Sequence, residues 1–278
     1  MTGRRAILGL CMLCALVFSA FAAQSANAET KGTTVFTCKE TGPGGGFTKA
    51  HCTPADAGSG NFSHVAVAEN TTTEITGTSV DTEGKPVVSK LKSVQSGVTE
   101  ELRSPLAHLL PEVEVEPGKI EKSWVTNKKD PVTGEHYIEG EGWVDYTEVS
   151  VAAPAEKGCK VQNNTVITNK LRFTTKGLKT EKDEIHIEPA SGTVFAEFVV
   201  EGCSVLALNH AYKVEGSLNA ELVGATLKTT HANVTAQAKL KVAGQTAGLD
   251  GELTVKATDK AAGDVTDTPL SSTTVPTP

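Results

Sequence analysis

The chain has 278 residues, with 26 Lys and Arg against 33 Asp and Glu, and a formal net charge of −7. That acidic balance speaks against nucleic-acid binding, which needs clustered cations to displace counterions from phosphates. No segment beyond residue 28 approaches the ~18 consecutive apolar residues of a membrane helix.

The N-terminus carries the most specific signal. Arg4 and Arg5 precede an apolar run from Ala6 to Ala23, and Ala26 and Ala28 form an A-x-A site just before Glu29. This layout predicts a secretory signal peptide over residues 1–28. The Arg pair also fits a twin-arginine leader, but it serves equally as an ordinary basic n-region, which is the reading kept. Cys11 and Cys14 follow Leu10 and Leu13 rather than small residues, so both are expected to leave with the leader unlipidated. The leader holds two Arg and no acid, so cleavage leaves 250 residues and moves the formal charge from −7 to −9. The expected location is secreted or in the cell envelope, where disulfides persist.

An N-terminal β region is expected over residues 29–118. Its strand candidates are Val35–Cys38, Phe62–Ala68, Thr72–Thr76 and Val87–Leu91, rich in Val and Thr. Gly42 to Gly46 reads as a turn between Cys38 and Cys52; it lacks the Lys-Ser/Thr that would let it cradle a phosphate. Val98 to Leu110 is the one stretch that reads as helical, interrupted by Pro105. Pro105, Pro111 and Pro117 punctuate the middle and place a candidate domain boundary near residue 118.

A C-terminal β-sandwich region is expected over residues 119–258. Strand candidates are Ile120–Thr126, His136–Val151, Val166–Thr174, Glu184–Glu188 and Thr193–Val200. Period-two alternation is clearest from Tyr212 to Leu222, in Asn233–Val242 and in Leu253–Ala257. Such runs give one core face and one wet face, as antiparallel sheets require. Asp130 to Gly134 and Gly248 to Gly251 read as turns. From 259 to 278 the chain is Ala, Asp, Thr, Ser and Pro, and a disordered tail is expected. The fold class is therefore all-β, with one or two disulfide-stabilised antiparallel β-sandwiches.

Cys38, Cys52, Cys159 and Cys203 remain after cleavage, and four cysteines allow three pairings. The Gly-rich segment between the first two favours Cys38–Cys52, leaving Cys159–Cys203, each of which adjoins a glycine. The chain-entropy model gives such bridges ~3 and ~4 kcal/mol. The four are too widely spaced for a zinc motif and, once paired, supply no thiolate.

Catalytic signatures are missing from the sequence. The seven histidines are scattered, and His186 with Glu188 reads as a solvent-facing pair rather than half a metal site. Ser191 lies outside any G-x-S-x-G elbow, and strand geometry would point Ser63 and His64 apart. Trp124, Tyr137, Trp143 and Tyr146 stand out as an aromatic cluster. Tyr137 and Trp143 share parity, so on one strand face they could stack on sugar rings. The plainer alternative is that they fill the core.

The segments Cys159-Lys160-Val161, Thr168-Asn169-Lys170-Leu171, Pro189 to Phe195, Glu201-Gly202-Cys203, Gly224-Ala225-Thr226 and Ala243 to Gly248 carry a resemblance. With the leader and the Phe47…His51-Cys52 segment, the chain resembles a group of secreted, uncharacterised actinobacterial proteins over most of its mature length. Many members carry a further central cysteine pair, which this chain lacks between Cys52 and Cys159. The resemblance implies an exported all-β protein and transfers no catalytic residue, cofactor or metal ligand. A non-enzymatic structural or binding protein is thus expected, with an envelope or extracellular glycan or protein as partner. The competing expectation is a carbohydrate-binding module or polysaccharide-active enzyme using residues 124–146.

Overall fold

The computed structural model describes residues 32–49, 52, 57–81, 83–95, 98–154, 158–178, 184–230, 240–259 and 266–273. The expected leader, His51, His231 and most of the expected strand Asn233–Val242 lie outside the described residues.

The described chain is all-β. The first strands are β1 (Thr34–Phe47), β2 (Ala57–Ala66), β3 (Thr73–Thr78), β4 (Ser89–Gln95), β5 (Val98–Ser104) and β6 (Leu106–Leu110). Then come β7 (Glu112–Glu116), β8 (Lys119–Lys122), β9 (Trp124–Lys129), β10 (His136–Thr147), β11 (Ser150–Ala153) and β12 (Lys160–Val161). After them follow β13 (Thr165–Ile167), β14 (Leu171–Thr174), β15 (Glu184–Pro189), β16 (Val194–Glu201) and β17 (Ala211–Glu215). The last are β18 (Leu218–Val223), β19 (Thr226–Thr229), β20 (Lys241–Val242), β21 (Gln245–Asp259) and β22 (Thr266–Thr273).

Two closed rings of antiparallel pairing run around the molecule. In the first, β21 pairs with β3, β3 with β6 and β9, and these with β10. The ring continues through β14, β15, β18 and β19 back to β21. In the second, β21 pairs with β4, followed by β5, β11, β12, β16, β17 and β20, which returns to β21. Residues 251–257 of β21 serve the first ring and residues 245–250 the second. The sandwich expectation is therefore corrected to a closed barrel with eight strand positions around its wall. Each wall strand is paired on both sides, so closure removes the open edges a sandwich would keep.

Strands β6 and β9 occupy one position in the wall, and the β7–β8 hairpin is the excursion between them. The boundary expected near 118 falls in that hairpin's turn, at Gly118 with φ +79°. Across it β3 pairs with β9, β6 with β10, β5 with β11 and β4 with β21, so the two regions share one wall.

Three local expectations are also corrected. Val98–Leu110 forms β5 and β6 rather than a helix, with Pro105 at the break, where no ladder donor is needed. Gly248 to Gly251 lies inside β21, where Gly251 lets the Ser89 side chain come close. The tail expectation fails for Thr266–Thr273, which pairs with both β21 and β1 and is anchored by buried Leu270. The other tail residues beyond 259 lie outside the described residues.

A second layer covers one end of the first ring. Here β1 pairs with β2 and β22, and Val35, Val67 and Leu270 pack against Ile75, Leu109, Val125 and Ile138 from the wall. Asn127 of β9 ties this layer down through bonds to Val35 and Val67. The Cys38–Cys52 disulfide sits alongside, next to His64, whose ring stacks between Phe36 and Phe47. The Gly42–Gly46 segment is a bulged part of β1, and Gly45 lies against the Phe62 backbone where a Cβ would not fit. The Cys159–Cys203 disulfide lies at the second ring.

Candidate functional site

Side chains alternate along each wall strand, so every second residue enters the barrel. In β10 the inward set is Ile138, Gly140, Gly142, Val144 and Tyr146, while Glu139 and Glu141 meet Lys128 and Lys170 outside. Inward residues of the other strands are almost all aliphatic: Ile75, Leu109, Val125, Leu171, Ile185, Ile187, Leu218, Leu227, Leu253 and Val255. They do not fill the space. A cavity of about 130 Å³ remains in the first ring, floored by Val35 and Leu270 of the covering layer. Ala107 is a small inward residue on its lining, whereas the space beside Gly142 and Gly251 is taken up by Ser123, Leu109 and Ser89. Eight strands give a lumen that side chains can just fill or that can hold one small ligand, and here the second case applies.

Further along the axis lie a second cavity of about 50 Å³ and a third of about 20 Å³. Ser89, Tyr146, Phe195 and Leu249 line both the first and the second. The third adjoins Ser93, Glu100 and Tyr212, where the Tyr212 hydroxyl donates to Glu100 at 3.4 Å. Burial pushes the Glu100 carboxyl above its usual range, against the Tyr212 hydrogen bond. Glu252 borders the large cavity but turns outward to Lys228, at 2.7 Å. The first cavity has the chemistry of an apolar container: among the described residues its lining is apolar but for Ser89, Tyr146, Thr229, Asp250 and Glu252.

The four aromatics singled out in the sequence do not form one surface. Tyr137 and Trp143 do share the outer side of β10, as their parity requires, and Tyr146 enters the lumen. Trp143 is only 5% exposed. Lys170, held between Glu121 of β8 and Glu141, lies over its ring at 5.4 Å. Tyr137 is half-buried, with Lys176 over its ring at 5.2 Å, and Trp124 is half-buried opposite Glu141. Trp143 therefore offers no face on which a sugar could stack. His186 bonds Asn219 through Nδ1 at 2.8 Å and approaches Glu188 at 3.6 Å, on the outer side of β15.

The cavity lining was missed in the sequence because none of its residues is chemically unusual. The available signal was a small inward residue such as Ala107 among larger aliphatics, which leaves volume rather than adding a reactive group. No protein-family model, curated protein or solved structure matches the chain.

Proposed function

We propose that this chain is an exported, non-enzymatic binding protein whose barrel holds one small, mainly apolar molecule. The observation that carries this reading is the cavity of about 130 Å³ inside the closed wall, lined mainly by aliphatic side chains. Left empty, a cavity of that size costs about 3 kcal/mol of stability at ~24 cal/mol per Å³. An apolar cavity of ~150 Å³ in another protein stays dry and takes up benzene, so the volume here suits a guest of similar bulk. Export is supported by the leader-like first 28 residues and by two disulfides. Among the described residues no helix is long and apolar enough to cross a membrane.

The test is titration of the full mature chain with benzene and with n-hexane, followed by methyl NMR. Shifts confined to Ile75, Leu109, Ile185 and Leu253, with a ligand-dependent rise in unfolding temperature, are expected. No methyl shift with either probe would overturn the reading.

A further inference from the structure

The constriction between the first and second cavities carries hydroxyls in an otherwise apolar lumen. Of the four side chains lining both spaces, Ser89 and Tyr146 are polar and Phe195 and Leu249 are not. Ser89 is 6% exposed and faces Gly251, where an added Cβ would stand 2.9 Å from its Oγ. Tyr146 is half-buried in the wall, and burial pushes its hydroxyl up to about 12. Neither hydroxyl has a hydrogen-bond partner among the described residues, and neither is sealed off: the fully buried side-chain atoms left unpartnered there are Thr34 Oγ1, Asp145 Oδ1 and Thr258 Oγ1.

Hydroxyls that face an apolar space without a partner are disfavoured, and apolar side chains would have closed the constriction without that cost. Two of them at one level of the axis mark the height at which a guest's polar atom would be met. Lys90 and Arg103 stand at the same level but alternate outward, and Arg103 is engaged by Glu101. The lumen thus offers hydroxyls and no cation, which suits a neutral oxygen rather than a carboxylate.

Building on the reading of the barrel as a container, we infer that its guest is an aliphatic molecule bearing one neutral oxygen, an alcohol or a ketone. Its oxygen sits at the constriction, where Tyr146 donates and Ser89 completes the pairing, and its chain occupies the large cavity.

The experiment compares 1-hexanol, n-hexane and hexanoate on the wild-type chain, Tyr146→Phe and Ser89→Ala by NMR titration. Each substitution is expected to weaken 1-hexanol about three- to tenfold, the range of one net hydrogen bond, and to leave n-hexane within about twofold. Hexanoate is expected to bind more weakly than 1-hexanol. If 1-hexanol is insensitive to both substitutions while n-hexane still binds, or if hexanoate binds best, this inference is overturned and the container reading stands. If the wild-type chain takes up none of the three, both fall. Because two separate variants are used, loss of folding in one leaves the other to decide.

Discussion

Asn127 and Val35 are joined by two hydrogen bonds of 2.8 Å running in opposite directions. The Val35 N–H donates to Asn127 Oδ1, and Asn127 Nδ2 donates to the Val35 carbonyl. A side-chain amide here imitates the backbone of a neighbouring strand, and a third bond of 2.7 Å reaches the Val67 carbonyl. The covering layer is thereby pinned to the barrel by one residue that is 3% exposed. Asn127→Ala leaves buried backbone groups short of partners, at roughly 1–3 kcal/mol each. A loss of about 3 kcal/mol in urea unfolding is expected, with faster hydrogen exchange at the Val35 amide.

Gly140 lies opposite Phe173 across the β10–β14 pair. A Cβ there would stand 2.1 Å from the Phe173 ring and 2.4 Å from the Trp124 carbonyl. Gly140→Ala is therefore expected to destabilise the chain by about 2 kcal/mol, in the range of core overpacking. Thermal unfolding of Gly140→Ala with and without Phe173→Leu separates the ring clash, which the second change relieves, from the backbone clash, which it does not.

Ala107 is 2% exposed and borders the large cavity. Ala107→Leu places extra carbon atoms in existing space, so the ligand-free chain is expected to gain about 1 kcal/mol. The same change should abolish the thermal shift caused by benzene. A variant that is destabilised and still binds benzene would show that the space beside Ala107 is not where the guest sits.

Asp130 and Glu100 give opposite pH dependences. Asp130 accepts backbone N–H bonds from Val132 and Thr133 and pairs with Lys176, which together lower it to about 2. With its folded value below the unfolded one, its contribution is present above pH ~4 and is lost as pH falls toward 2. Glu100 is raised by burial, so the folded state holds its proton longer and stability declines as pH rises past ~4.5. Urea midpoints from pH 2 to 7 are expected to flatten at the acid end for Asp130→Asn. Those of Glu100→Gln are expected to rise relative to wild type toward pH 7.

The Cys159–Cys203 bridge has a Cα–Cα distance of 4.0 Å and is flanked by Gly158 and Gly202. Both glycines have positive φ, and a Cβ on Gly202 would stand 2.4 Å from the Gly158 carbonyl. Gly202→Ala is expected to destabilise the oxidised chain by more than 1 kcal/mol and the reduced chain by less. Unfolding with and without reductant measures the difference.

Alternation told which side of a strand is apolar, and no more. In the Tyr212–Leu222 run, Tyr212, Val214, Leu218 and Ala220 are buried and Lys213 and Glu221 are exposed, as the period requires. The same pattern suits two facing sheets or one rolled sheet. The choice rests on pairs such as Thr254 with Thr78 and Ser150 with Arg103, which no local window contains. Val98–Leu110 looked helical because Leu102, Leu106, Leu109 and Leu110 also fit a 3.6 period, and tertiary pairing overrode that fit. Parity placed Tyr137 and Trp143 on one face correctly. It could not show that Lys170 and Glu121, arriving from elsewhere, would cover Trp143. Asn127 escaped notice because a single Asn in a strand has no signature until its partners are known.

The position of β21 sets when the barrel can exist. It joins both rings, and its partners β3 and β4 lie in the first hundred residues. Neither ring can close before residues 245–259 are free to pair, and contacts of such long separation make folding slow. A chain threaded outward through a translocation channel would thus emerge as open strands, with no lumen until nearly its whole length had crossed. On export by such threading, a guest would be acquired on the far side of the membrane.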